Sequence, residues 1–319
     1  MLDFGDEGRN PADEPPPLDR ESVVSKRSDL FALGRHRLMV GDARDAQAYA
    51  RLMEGELAEM AFLDPPYNVP IAGHVGGRGR TKHREFVCAS GEMSAEEFTA
   101  FLKQTLGLCA SYSADGAIHF VCIDWRHAPE LFVAGGTVYD ELKNVCIWVK
   151  SNAGQGTFYR SQHELVFVFK HGRAPHLNTF ELGQNGRMRS NVWHYAGVNS
   201  FRAGRMDDLG MHPTIKPVGL VVDAMRDCSR RGLIVLDAFA GAGTTIVAAE
   251  QIGRRACCLE LDPAYVDVAI RRWQRFTGRD AVLERTGQTF DELMFARARK
   301  PARAERPTKS RTAAARRGG

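Results

Sequence analysis

The sequence has no run of about 18 uncharged apolar residues, so no helix is expected to cross a bilayer. It has no C-x-x-C pair. Its seven cysteines (Cys88, Cys109, Cys122, Cys146, Cys228, Cys257, Cys258) are odd in number and sit mostly in apolar runs. A disulfide framework and zinc ligation are thereby disfavoured, no metal is called for, and reduced buried thiols are expected. A secretion signal is missing too: MLDFGDEGRNPADEPPPLDR is acidic and proline-rich where a signal would be basic and then apolar. A cytoplasmic protein is expected. There is no internal repeat and no composition of a fibrous or wholly disordered chain, since 44% of the 319 residues are hydrophobic and 26% charged.

Charge is unevenly placed. The formal net charge is +4, yet Arg297 to Gly319 holds nine basic residues and one acid, Glu305. The tail therefore nets +8 and residues 1–296 net −4. A Lys/Arg, Ala and Pro tail buries too little surface to fold. Residues 291–319 are read as a disordered basic tail, serving either solubility or attraction to phosphate backbone. Residues 1–29 are read as a disordered leader.

Between these ends, apolar strands alternate with helical patterns. Arg37–Asp42, Met60–Leu63, Gly116–Ile123, Leu233–Asp237 and Ala256–Glu260 read as strands. Asn144–Lys150 and Glu164–Lys170 read as a hairpin, and Trp125–Val133 as a helix. Ser94 with Glu97 predicts a capping box opening a helix, and Pro263 predicts a helix start. The alternation predicts an α/β fold built on a doubly wound, mostly parallel sheet.

Two stretches carry chemistry. Leu236-Asp-Ala-Phe-Ala-Gly-Ala-Gly-Thr-Thr245 joins a buried strand to a helix, and Glu260 ends the next strand. Glycines at such a turn admit a ligand close to the backbone, and an acid on the next strand accepts ribose hydroxyls. The loop lacks the Lys-Ser/Thr of a P-loop and the full G-x-G-x-x-G, which disfavours nucleoside triphosphates and NAD against a nucleoside without phosphate. The other stretch is Asp64-Pro-Pro-Tyr67, directly after an apolar strand. Its plain reading is a stiff turn, because neither proline can donate to a sheet ladder.

Beside a nucleoside site the same turn gains a chemical use. The lone pair of a nucleobase amine is delocalised into the ring, so the amine is a weak nucleophile. A carboxylate (Asp64) and a fixed carbonyl (Pro65) can accept its two N–H bonds and localise that pair toward a methyl sulfonium. Pro66 keeps the turn rigid, and Tyr67 offers a face on which an extruded base can stack. Catalysis would then rest on positioning and electrostatics.

Together these stretches resemble the amino-methylating DNA methyltransferases that use S-adenosyl-L-methionine, in particular the beta class, in which D-P-P-Y precedes F-x-G-x-G. Leu38-Met-Val-Gly-Asp42, Gly156-Thr-Phe-Tyr-Arg-Ser-Gln-His-Glu164 and His212-Pro-Thr-Ile-Lys-Pro217 add to the likeness, which spans roughly residues 36–276. Ala238 departs from it, standing where many relatives carry proline. The resemblance implies a Rossmann-like methyltransferase fold with circularly permuted motif order. Residues 30–170 would carry the catalytic part, 171–210 a target-recognition insert and 211–290 the cofactor part. It implies Asp64, Pro65, Pro66 and Tyr67 as catalytic. Asp42, Thr214, Lys216, Asp237, Phe239, Gly241, Gly243, Thr244, Thr245 and Glu260 would line the cofactor pocket, Asp42 toward the adenine end and Thr214 and Lys216 toward the methionine end.

Double-stranded DNA is the implied partner, with no membrane, and a homodimer and a cognate restriction enzyme fit the class. Arg78, Arg80, Lys82 and Arg84 in the glycine-rich loop, with Arg160, His163, Arg187 and Arg189, are the expected DNA contacts. Asp64 favours adenine N6 over cytosine N4, where serine is more frequent at that position. Cytosine C5 chemistry needs a nucleophilic cysteine, usually after proline, and no Pro-Cys pair occurs. The competing reading from another class is a catalytically idle DNA-binding module.

Overall fold

The computed structural model describes residues 11–69, 91–154, 158–197 and 215–298. The strands are β1 Leu30–Leu33, β2 His36–Val40, β3 Ala58–Leu63, β4 Ser113–Ile123, β5 Glu141–Val149, β6 His163–Lys170, β7 Val192–His194, β8 Ile234–Asp237, β9 Arg255–Glu260 and β10 Val282–Leu283. The helices are α1 Ala46–Met53, α2 Ala95–Ser111, α3 Ala128–Val138, α4 Val218–Cys228, α5 Thr244–Ile252, α6 Pro263–Thr277 and α7 Phe290–Ala298. None of them is long and apolar enough to cross a membrane.

The strands form one sheet in the order β10-β1-β2-β9-β8-β3-β4-β6-β5-β7. Its centre, β2-β9-β8-β3-β4, is parallel throughout. Antiparallel strands flank it: β1 and β10 on one side, β6 and β5 on the other, with β7 rejoining parallel at the edge. Alternate residues of the central strands serve opposite faces. In β3, Met60 and Phe62 join a core built with α4, α5 and α6, while Ala61 and Leu63 join one built with α1, α2 and α3. Burial on both faces explains why these strands read as continuous apolar runs. The capping box of α2 forms as the sequence predicts, with Ser94 and Glu97 bonded reciprocally.

Two expectations for the chain ends are corrected. The leader is not free of structure over residues 11–29. Ala12 and Val24 are buried, Arg272 donates to the Ala12 carbonyl at 2.6 and 2.9 Å, and Asp267 accepts from the Val24 and Ser25 amides. Asp13 accepts from the Val218 amide at the start of α4. Composition pointed to disorder, but buried charged partners on a distant helix recruit the segment. The tail likewise begins later than residue 291, because α7 continues to Ala298 with Leu293 buried against the core. The expected helix at Trp125–Val133 is a 3-10 turn, Trp125–His127, followed by α3 running on to Val138. Deleting residues 1–29 is expected to destabilise the fold by about 1–3 kcal/mol, because Arg272 and Asp267 lose buried partners. A circular dichroism melt that is unchanged by the deletion would refute this.

Candidate active site

The carboxyl ends of β3 and β8 lie side by side, since Met60 pairs with Val235 and Ala61 with Leu236. The Asp64-Pro-Pro-Tyr67 turn leaves β3 at the level where Asp237 closes β8. The two halves of the expected site, far apart in sequence, therefore meet at one end of the sheet. That is the end where open α/β sheets bind ligands.

On the cofactor side, Asp237 is buried and accepts from the Phe239 amide at 2.9 Å and the Thr245 hydroxyl at 2.6 Å. Burial pushes its carboxyl up to about 7 against those two bonds. Glu260 accepts from the Gly241 amide and the Asp262 amide, both at 2.8 Å. Burial outweighs these bonds and raises its carboxyl to about 7 as well. The hydrogen bonds to Glu260 come from backbone amides, so its remaining lone pairs suit hydroxyl donors.

The two glycines do different work. Gly243 sits at φ +79, and a Cβ there would lie 2.7 Å from the Ala269 Cβ, so it serves the close packing of α5 on α6. Gly241, at φ +49, would direct a Cβ into open space, its closest atom 4.0 Å away, which leaves its backbone approachable. Phe239 packs against Phe101 with ring centroids 6.3 Å apart. Asp42 lies just beyond Val40, which pairs with Glu260, and is held by Arg44 at 2.8 Å. An approachable glycine amide, a buried acid on the adjoining strand and no phosphate-binding lysine in the loop fit an S-adenosyl nucleoside.

Three expected pocket residues are placed differently. The Thr244 hydroxyl lies between the Lys216 carbonyl and the Arg272 guanidinium, and that of Thr245 is bonded to Asp237. Both hydroxyls hold the loop from inside rather than lining a pocket. Lys216 was expected near the methionine end of the cofactor. Instead its ammonium reaches Asp64 Oδ2 at 2.7 Å, the Tyr67 hydroxyl at 3.0 Å and Glu164 Oε2 at 3.0 Å. Thr214 lies outside the described residues, as do Arg78, Arg80, Lys82 and Arg84.

On the catalytic side, the Tyr67 hydroxyl lies 2.7 Å from Asp64 Oδ1 and 2.9 Å from Glu164 Oε2. Glu164 is buried and its second oxygen accepts from Lys150 at 2.5 Å. Burial raises the Asp64 carboxyl, Lys216 opposes the rise and the Glu164 charge adds to it, leaving it above the ordinary aspartate range. Burial would also raise Glu164, yet Lys216 and Lys150 outweigh it and hold that carboxyl well below its ordinary value. Burial would discharge Lys216, but Asp64 and Glu164 keep it charged. Sequence reasoning named the stretch ending in Glu164 without giving that residue a role, and it passed over Lys150. Nothing local marks them, because each is brought in by strand register: Val149 pairs with His163 and Trp148 with Glu164.

Of the expected DNA contacts, Arg160 is exposed and His163 opens β6 half-buried. Arg187 and Arg189 are otherwise engaged, and their assignment is corrected. They pair with Asp227 at 2.9 and 3.1 Å and reach Asp223, fastening residues 187–189 to α4.

Strand order, glycine loop and acidic turn define a Rossmann-like α/β protein built for transfer to an amino group. The chain matches the N6/N4 DNA methylase family over residues 58–271 and belongs to that family. It is similar to the type II methyltransferase M2.MboI of Moraxella bovis, 26% identical over 144 residues, 43% of this chain and 51% of that protein. The match thus spans about half the length of that relative. M2.DpnII of Streptococcus pneumoniae is 23% identical over 236 residues, 72% of this chain and 87% of the relative.

Among solved structures, the DNA modification methylase TTHA0409 of Thermus thermophilus, complexed with S-adenosyl-L-methionine, shares the fold. It has a TM-score of 0.52 and 21% identity, over 80% of this chain and 96% of that one. The cytosine-N4-specific PvuII DNA methyltransferase does so with a TM-score of 0.57 and 14% identity, over 86% and 96%.

Proposed function

We propose that this chain methylates the exocyclic N6 of adenine in duplex DNA, using S-adenosyl-L-methionine and acting on a base turned out of the helix. One observation carries the reading. Lys216 ties the two halves of the site together, its ammonium on Asp64 and Tyr67 and its carbonyl against Thr244 at the head of the cofactor-side helix. An amine donor at the Asp64-Pro-Pro-Tyr67 turn therefore sits next to a nucleoside held by Gly241 and Glu260. The cofactor supplies an electrophilic methyl group on sulfur. Asp64 and the Pro65 carbonyl accept the two amine N–H bonds and direct the nitrogen lone pair. Because the raised Asp64 carboxyl is the stronger base, it is also placed to hold the proton that the methylated amine gives up.

Adenine is favoured over cytosine by the aspartate at position 64, although the family includes both amino acceptors. Duplex DNA is supported by family membership and by the surface at the mouth of the site. Trp125, Phe158 and Tyr159 are exposed there beside Arg160, and the Trp125 indole donates to Ser161 three residues before Glu164. Aromatic faces with a guanidinium suit unstacked bases and phosphate.

The test is to sequence DNA from cells expressing the chain, with detection of modified bases. N6-methyladenine at a defined site is expected. N4-methylcytosine would overturn the choice of base, and no modification together with tight, salt-sensitive DNA binding would favour an idle binding module.

A further inference from the structure

The hydrogen bonds around Asp64 leave its carboxylate engaged before any amine arrives. Oδ2 takes a Lys216 proton at 2.7 Å, and Oδ1 is within 2.7 Å of the Tyr67 hydroxyl. Lys216 has three protons and three partners in Asp64, Tyr67 and Glu164, so it is fixed. The Tyr67 hydroxyl differs. Its oxygen accepts from Lys216, and its single proton has two carboxylates in reach, Asp64 Oδ1 at 2.7 Å and Glu164 Oε2 at 2.9 Å. It can serve only one at a time. Glu164 is itself immobilised by Lys150 at 2.5 Å and by its place in β6.

Resting on the function proposed above, we infer that Glu164 is a positioning residue. It takes the Tyr67 hydroxyl proton when the target amine engages Asp64 Oδ1. The exchange is a rotation about the phenolic C–O bond. The tyrosine keeps its proton, no covalent bond changes and no backbone moves. Without Glu164 the hydroxyl could leave Asp64 only by becoming a buried unpaired donor, so the amine would compete with it for Oδ1.

The charged and titratable groups facing Asp64 are Lys216 before α4, Glu164 on β6, Tyr67 in its own turn, Cys122 on β4 and Asp237 on β8. Among these, Glu164 and Tyr67 alone are paired so that one can relieve Asp64 of the other. The pairing makes a suppressor relationship the decisive readout.

The experiment uses the full chain, S-adenosyl-L-methionine and a duplex carrying its methylation site, under single-turnover conditions. Glu164→Gln is expected to slow methyl transfer about tenfold or more with cofactor affinity unchanged. Tyr67→Phe, which leaves Oδ1 open and keeps the ring, is expected to be milder. The double variant is expected to be faster than Glu164→Gln alone and within about threefold of Tyr67→Phe. Binding of the target duplex without cofactor, followed by anisotropy, should show the same order. A double variant no faster than Glu164→Gln, or a Glu164→Gln protein at the wild-type rate, would overturn the inference. Should Glu164→Gln prove too unstable to purify, Glu164→Asp is expected to show the same suppression with a smaller loss. Absence of transfer by the wild-type chain would count against the proposed function instead, so the two failures are distinguishable.

Discussion

Asp64→Ala should reduce methyl transfer by roughly 10³–10⁴-fold, about 4–5.5 kcal/mol of barrier, while cofactor affinity stays near that of the wild type. The substitution removes the charged acceptor that directs the amine lone pair, and it touches neither Gly241 nor Glu260. The fold should survive it. Lys216 keeps Glu164 at 3.0 Å and Tyr67 at 3.0 Å, so the ammonium is not left as an uncompensated buried charge. Asp64→Asn retains a carbonyl acceptor without the charge and should lose less, roughly 10–100-fold. Single-turnover incorporation of labelled methyl, run beside a calorimetric cofactor titration, measures both quantities. An active Asp64→Ala protein would refute the role given to this carboxylate.

Glu260→Ala should weaken cofactor binding by about 1.5–3 kcal/mol, roughly ten- to over a hundredfold in Kd, through loss of charge-assisted bonds from ribose hydroxyls. Unchanged affinity by calorimetry would reject the assignment. The same residue gives the pH dependence its sign. Its carboxyl sits at about 7 in the unliganded protein, and hydroxyl donors prefer the ionised form. Affinity should therefore be flat above about pH 7 and fall below it, by up to tenfold per pH unit, with proton release on binding. Glu260→Gln should flatten that profile. For folding the sign reverses. Glu260 and Asp237 have carboxyls raised from 4.5 and 3.8 to about 7, so the stability they contribute is fully present below their ordinary values and is lost as pH rises through about 7.

Much of the site was legible because its parts are local. Asp64-Pro-Pro-Tyr67, the Phe239–Gly243 loop and Glu260 each combine a strand end with residues whose backbone chemistry is distinctive. What stayed hidden depends on partners remote in sequence. Glu164 sits within an ordinary apolar strand, and only register against β5 and the approach of Tyr67 give it a role. Lys216 was assigned by its neighbours in the chain, yet its ammonium follows two carboxylates rather than its own backbone. The segment 11–29 looked unfoldable by composition because its fastening groups, Arg272 and Asp267, belong to α6. The short strands β1 and β10 escaped for a related reason: each is defined by its pairing partner, Phe31 opposite Leu283, and not by a pattern of its own.

The position of β3 between β4 and β8 has a consequence for synthesis. The two contacts that seat β3 against β8 close loops as long as 175 residues, as between Glu59 and Ile234. At roughly 5–20 residues per second, the catalytic strand leaves the ribosome about 10–35 s before its neighbour exists. Until then an apolar edge waits unpaired, so a nascent-chain chaperone should raise the yield of active enzyme more than its final stability would suggest.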